Sequence, residues 1–295
     1  MRRRLIIGIL LVVLGGCSGT QFLNAVTPDG NSQLADNLIY DVTTGLDLDI
    51  YIPPRAKNAP VLVFFYGGRW TEGSKDQYAF AGQALASKGF VAVLPQYRHY
   101  PLVKFPVFVE DAATAVQWVH KNVTRYGGDP RKIFVMGHSS GAHLAAMLAI
   151  NPDYLAAAGF DRAQLRGMIG LAGPYDFRPI TDHDLRDMFG PPEQFHLAQP
   201  VTFVDGDNPP LLLLHGEDDK SVSVRNTRKL TAAVAKAGGP VETVIYPEMS
   251  HAWIVATLAA PLRGRSDVLD QISEFVKRTL SAKPQPAAVL TSPGS

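Results

Sequence analysis

The stretch that most constrains this chain runs from residue 132 to residue 150. Ile133-Phe134-Val135-Met136 is a short apolar, β-leaning run, Gly137-His138-Ser139-Ser140-Gly141 follows it, and residues 142–150 are helix formers stopped by Asn151-Pro152. Strand, tight turn and helix in that order are the context in which G-x-S-x-G lifts a serine onto a strained turn, a nucleophile elbow. The glycines have a physical task there, because a side chain on either would keep the strand and helix from closing on the serine. The bare spacing carries little weight. The flanking elements make Ser139 a candidate nucleophile rather than a surface serine in a plain Gly-rich turn.

Such an elbow needs a sheet around it. Residues 38–42 and 46–52, separated by Thr43-Thr44-Gly45 and ended by Pro53-Pro54, predict an antiparallel hairpin. From residue 60 the pattern changes. Apolar runs at 61–66, 90–94, 133–136, 167–171 and 211–214 read as strands buried on both faces, and 241–246 as the last strand. Between them lie helical segments near 78–88, 105–123, 142–150 and 224–237, with an amphipathic one at 267–280. This alternation predicts an α/β fold: a mostly parallel central sheet flanked by helices, with an antiparallel N-terminal hairpin. Residues 174–204 have no clean period and are too long for a plain loop, so a small cap or lid insertion is expected there.

The N-terminus reads as an address rather than as fold. Arg2-Arg3-Arg4 is a basic region, residues 5–14 are apolar but shorter than a bilayer span, and Leu14-Gly15-Gly16 leads to Cys17. Small residues before the chain's one cysteine resemble a bacterial lipobox, which implies a diacylated Cys17 as the mature N-terminus and a stable lipid anchor. Ser18 in place of an aspartate implies the outer membrane, periplasmic side, in a bacterium with two membranes. The expected organisation is a lipoprotein signal peptide at 1–16, a polar tether at 17–36, one catalytic domain at 37–281 and a disordered tail at 282–295. A net charge of +1, with no basic run after residue 4, argues against nucleic acid as a partner. Nothing in the sequence specifies an oligomeric state.

In a sheet of this kind ligands gather at the C-terminal ends of the strands. The residues found after the buried runs are Gly67-Gly68-Arg69-Trp70, the elbow, His215-Gly216-Glu217-Asp218-Asp219, and Pro247-Glu248-Met249-Ser250-His251. Serine, acid and histidine in that chain order are the order of an α/β-hydrolase. A serine hydroxyl needs a base to take its proton, and His251 is the only histidine beyond residue 215. The base needs a carboxylate on its other nitrogen, and spacing leaves Glu217, Asp218 and Asp219 open. The N–H of Ser140 and the Gly67-Gly68 turn are candidates for an oxyanion hole, where one lost donor costs about 3 kcal/mol of transition-state stabilisation. His138 and His143 are explained as well by helix packing as by function. His99, His120, His183, His196 and His215 lack metal-ligand spacing, and neither a phosphate loop nor a dinucleotide fingerprint is present. No metal or cofactor is expected.

These residues resemble the bacterial α/β-hydrolase group of hormone-sensitive-lipase-like carboxylesterases, feruloyl-esterase-like enzymes and arylformamidases. The resemblance runs from about residue 46 to 280. Tyr66-Gly67-Gly68-Arg69-Trp70, Gln96-Tyr97-Arg98, Tyr126-Gly127-Gly128-Asp129-Pro130, the elbow, and His215-Gly216 with Asp219 carry it. Tyr66 stands where the family has histidine, and Gln96 where it has aspartate. The resemblance implies the HG-x-x-D acid, Asp219, as third member of a Ser139–His251–Asp219 triad. It implies a serine carboxylesterase acting on a small-molecule ester through an acyl-enzyme. Arylformamidase-like amide cleavage and carbohydrate deacetylation are the competing enzyme readings. A silent hydrolase-fold binding lipoprotein is the non-enzyme one.

Overall fold

The computed structural model describes residues 19–27 and 31–282. The expected signal peptide at 1–16, Cys17 and the expected tail beyond residue 282 lie outside the described residues. Eight strands form one sheet in the order β1-β2-β4-β3-β5-β6-β7-β8. They are β1 (Gln33–Asp41), β2 (Leu46–Ile52), β3 (Ala59–Phe65), β4 (Val91–Pro95), β5 (Gly128–His138), β6 (Leu165–Leu171), β7 (Leu211–Gly216) and β8 (Val241–Tyr246). β1 and β2 pair antiparallel, and β2 joins β4 antiparallel. Every later pairing is parallel. This is the mostly parallel sheet with an antiparallel N-terminal pair that the alternating pattern predicts, and the α/β-hydrolase architecture that the resemblance implies.

The central strands β3, β5, β6 and β7 are fully buried along most of their length, which is why their sequences are apolar without alternation. The helices are α1 (Gly19–Val26), α2 (Ala79–Ser87), α3 (Val107–Asn122), α4 (Ser140–Ile150), α5 (Pro152–Ala157), α6 (His183–Phe189), α7 (Arg225–Lys236), α8 (His251–Ala256) and α9 (Val268–Ser281). α4 follows the elbow and is buried at every position, packed on β5, β6 and α3. Alanine at positions 142, 145, 146 and 149 lets it approach the sheet closely. Asn151 stops α4 and starts α5, its side chain accepting from Asp153 N with Pro152 in the first turn. α2 and α9 are joined by Lys88 Nζ and Asp270 Oδ1 at 2.6 Å.

Two expectations require correction. Within the expected tether, the described residues 19–27 are not bare: α1 packs on the start of α2, with Asn24 Nδ2 donating to Asp76 O at 2.7 Å and Phe80 N donating to Asn24 Oδ1 at 3.0 Å. β1 also begins at Gln33 rather than at residue 38. It is an edge strand exposed along much of its length and broken by register shifts, so it has no alternating apolar signal to read. Among the described residues no helix is long and apolar enough to cross a membrane.

The segment 174–204 folds as α6 followed by two 3-10 turns, Pro192–Ala198 and Pro200–Phe203. It is tied down from both ends. Tyr175 N and Asp176 N donate to Asn226 Oδ1 of α7, and His143 Nε2 of α4 lies 2.8 Å from Ala198 O. Phe177 and Phe189 pack with Trp70 and His143 beneath it.

Candidate active site

The elbow is strained where the sequence requires it. Ser139 sits at φ 55°, ψ −124°, in the region that side chains avoid. Its N–H donates to Leu171 O at 2.9 Å, and its carbonyl accepts from Ala142 N and His143 N. A Cβ on Gly137 would overlap the Gly141 backbone, and one on Gly141 would overlap the carbonyl oxygens of Phe65 and Tyr66. The strand-to-helix crossing is therefore closed to any side chain at either glycine.

His251 does not lie on the loop after β8 but is the first residue of α8. Its Nε2 is 2.9 Å from Ser139 Oγ and its Nδ1 is 2.7 Å from Asp219 Oδ2. Of the three acids left open by spacing, only Asp219 turns inward. Glu217 and Asp218 are exposed, and Glu217 pairs with Arg228 at 2.7 Å. Asp219 Oδ1 accepts from Ser221 N at 2.9 Å and Val222 N at 2.8 Å, while Oδ2 also lies 3.1 Å from His215 Nε2. Burial on its own would raise the Asp219 pKa. The hydrogen bonds from His215, His251 and Val222 outweigh it and hold the carboxyl well below the usual range, so it is charged.

Ser140 opens α4, so its N–H has no acceptor inside the helix. The facing turn is built on its glycines. A Cβ on Gly67 would sit 3.0 Å from both Ser139 Cβ and His138 Nδ1. Gly68, at φ 144°, would place one into the Glu72 carbonyl, and its own carbonyl accepts from Thr71 N and Glu72 N at 3.0 Å. Gly68, Ser139, Ser140 and His251 share one cavity of about 790 Å³, lined also by Phe177, Leu185 and the Arg69–Asp182 ion pair at 2.7 Å. The Gly67-Gly68 turn, the Ser140 N–H and the serine are thus brought to one place. Among the described residues no group of His, Cys, Asp and Glu is arranged to hold a metal ion.

The remaining motif residues support this site. Tyr66, in the family's histidine position, is buried and stacked on Tyr97 at 4.5 Å, with its hydroxyl 3.1 Å from His99 Nε2. Tyr97 OH donates to Tyr66 O at 2.9 Å, which shapes the turn from below. Arg98 forks onto the buried Asp111 carboxylate of α3, with Nη2 to Oδ1 at 2.6 Å and Nε to Oδ2 at 3.0 Å. Asp129 accepts from Arg131 N and Nε and lies 3.3 Å from Lys132 Nζ. His138 Nε2 donates to His251 O at 3.0 Å. Burial, reinforced by the neighbouring His251, pushes His138 down to about 3, so it is neutral. Burial also pushes His143 down to about 4 while it donates to Ala198 O under the cap.

The sequence reading gave no site role to Tyr78, and to His215 only a place in the motif that carries the resemblance. Tyr78 is buried on the cavity wall with its hydroxyl 3.3 Å from His138 Nδ1. His215 carried a usable signal: it follows the apolar run of β7 directly, at the strand end where ligands gather, four residues before Asp219.

Comparison with known proteins gives the family and the fold. The model of the BD-FAE family matches residues 48–234. Esterase LipQ of Mycobacterium tuberculosis is 31% identical over 273 residues, covering 84% of this chain and 64% of its own length. Isoprenylcysteine alpha-carbonyl methylesterase ICME of Arabidopsis thaliana is 28% identical, covering 81% of this chain and 61% of its own length. The chain thus spans less than two thirds of the length of these curated relatives. The butyrate-bound thermophilic esterase Est2 of Thermogutta terrifontis superposes with a TM-score of 0.70 at 25% identity, covering 87% of this chain and 97% of Est2. A truncated carbohydrate esterase from gut microbiota superposes with a TM-score of 0.74 at 22% identity, covering 87% of this chain and all (100%) of that one, a likeness of fold.

Proposed function

Since the chain belongs to the BD-FAE family of α/β-hydrolase esterases, we propose that it hydrolyses carboxylic esters through an acyl-enzyme on Ser139. The observation that carries this reading is the unbroken path from Ser139 Oγ through His251 to Asp219, 2.9 and 2.7 Å long, at the floor of an open cavity. Ser139 Oγ attacks the ester carbonyl carbon as His251 Nε2 takes its proton. Asp219 holds the His251 Nδ1 proton and stabilises the imidazolium. The tetrahedral oxyanion is met by backbone N–H groups of Ser140 and of the Gly67-Gly68 turn. His251 then protonates the leaving alcohol, and water repeats the sequence to release the acid and restore the serine.

The relatives named as esterases and a methylesterase support ester over formamide chemistry. A cavity of about 790 Å³, lined in part by Phe177 and Leu185 of the 174–204 segment, favours small esters over long-chain lipids. Labelling with a fluorophosphonate tests the chemistry: the wild type is modified at Ser139 and Ser139→Ala is not. Labelling that survives the substitution removes the serine-hydrolase reading.

For location, the basic stretch, apolar stretch and Leu14-Gly15-Gly16-Cys17 support an envelope lipoprotein, anchored through Cys17 and facing the periplasm where there are two membranes. Cys17→Ser then leaves the membrane fraction. A variant that still sediments with membranes refutes the anchor.

A further inference from the structure

We propose that His215 is a positioning residue that fixes the Asp219 carboxylate and, through it, tunes the basicity of His251. This rests on the ester-hydrolase reading above.

His215 is 0% exposed, yet the triad as described does not use it. A buried imidazole costs free energy unless its nitrogens are partnered, and here both are. Nε2 lies 3.1 Å from Asp219 Oδ2 and 2.9 Å from Val222 O. Both are acceptors, so Nε2 carries the proton. Nδ1 lies 2.7 Å from Thr227 Oγ1 on α7, so in the neutral ring the threonine hydroxyl donates to it. Thr227 is itself fully buried. The surroundings therefore select one tautomer and one ring orientation.

That orientation matters because of the oxygen it addresses. Asp219 Oδ2 is the same atom that accepts from His251 Nδ1. With Ser221 N and Val222 N on Oδ1, the carboxylate has four donors for its four lone-pair positions. His215 occupies the position that would otherwise let the carboxylate tilt away from His251. It also draws off part of the negative charge, so Asp219 supports the His251 imidazolium less strongly than a bare carboxylate would. Among the described residues, the His251 ring is hydrogen-bonded to Asp219 and Ser139 with the His138 ring 4.9 Å away, and its cavity also holds the charged Arg69, Glu72, Arg178, Asp182 and Arg225. The His215 ring meets Asp219, Val222 O and Thr227, so Asp219 is the charge both rings share.

The test is the pH profile of kcat/KM for p-nitrophenyl butyrate, measured on the full chain with three variants. His215→Leu keeps the bulk and removes the donor. It is expected to lower kcat about tenfold with little change in KM, since a displaced catalytic group costs rate. Its acid limb is expected to move up by about half a pH unit, because a carboxylate with one donor fewer is more basic toward His251. His215→Gln places an amide donor near the Nε2 position, and is expected to restore most of kcat and return the limb. Thr227→Val removes the hydroxyl that makes Nε2–H a strong donor and gives a smaller shift in the same direction.

Equal loss in the Leu and Gln variants at every pH, with the limb unmoved, overturns the proposal and leaves His215 a packing residue. If neither histidine variant accumulates folded, the near-isosteric Thr227→Val decides, and an unmoved limb there overturns it. A wild type that neither turns over the ester nor takes the fluorophosphonate refutes the ester-hydrolase reading itself, and the proposal with it. An active wild type with unmoved limbs refutes the His215 role alone.

Discussion

Replacing Asp219 by asparagine changes one atom and no volume, and the structure dictates how the amide must sit. Ser221 N and Val222 N, at 2.9 and 2.8 Å, can only donate, so the amide oxygen must face them. The amide NH₂ then faces His251 Nδ1 and His215 Nε2. His215 can keep its proton on Nε2, since Val222 O still accepts it at 2.9 Å. His251 has no such alternative. Its Nδ1 becomes an acceptor, its proton moves to Nε2, and an N–H then points at Ser139 Oγ, where a base is needed. Returning to the working tautomer sets two N–H groups against each other in a buried place, which costs about 2 kcal/mol. Losing the charged acceptor for the imidazolium costs about 2–3 kcal/mol more. Together these amount to about 4–5 kcal/mol, or roughly a thousandfold or more in kcat. The assay is steady-state hydrolysis of p-nitrophenyl acetate by Asp219→Asn, with Asp218→Asn and Glu217→Gln from the same turn as exposed controls. Retention of more than a tenth of the wild-type kcat, or an equal loss in the controls, would refute the reasoning.

Other substitutions probe what holds the site. Gly141→Ala drives a Cβ into the carbonyl oxygens of Phe65 and Tyr66, which are backbone and cannot yield, and should destabilise by about 3 kcal/mol in urea unfolding. A loss under about 1 kcal/mol would show that the crossing has slack. Trp70→Ala removes the ring on which Phe108, Phe177 and Phe189 pack and should cost about 3–5 kcal/mol. Arg69→Gln breaks only a solvent-screened ion pair with Asp182 and should cost much less. The reverse ranking would mean that charge rather than aromatic packing seats the cap. Asp129 is held down to about 2, chiefly by the Arg131 guanidinium. Its contribution to stability is present above the unfolded value of about 3.9 and is lost as pH falls through about 2. Asp129→Asn should therefore lose less stability than the wild type between about pH 4 and 2 in thermal melts. Arg131 is 84% exposed, so solvent screening keeps the difference modest.

The sequence by itself determined the sheet and the elbow. Strands buried on both faces must be apolar throughout, so β3, β4, β5, β6 and β7 are legible as runs, and the helices between them as periods. The elbow is legible for a steric reason: where strand and helix backbones come within contact of each other, only glycine fits at positions 137 and 141. Elements whose burial is partial or whose length is short left no such mark. β1, exposed at an edge, was legible only from residue 38, and α1, α5 and α8 span eight, six and six residues. Spacing left Glu217, Asp218 and Asp219 open and the family resemblance pointed to Asp219, but only the tertiary structure supplies the physical reason. Three acids in a row look alike to any periodicity, and the difference lies in which one the β7–α7 turn folds inward onto two backbone N–H groups and two imidazoles. The same holds for His215. Its position at a strand end is visible in the sequence, but its partners come from residues 219, 222 and 227, and a hydrogen bond's direction exists only once those atoms are brought within about 3 Å.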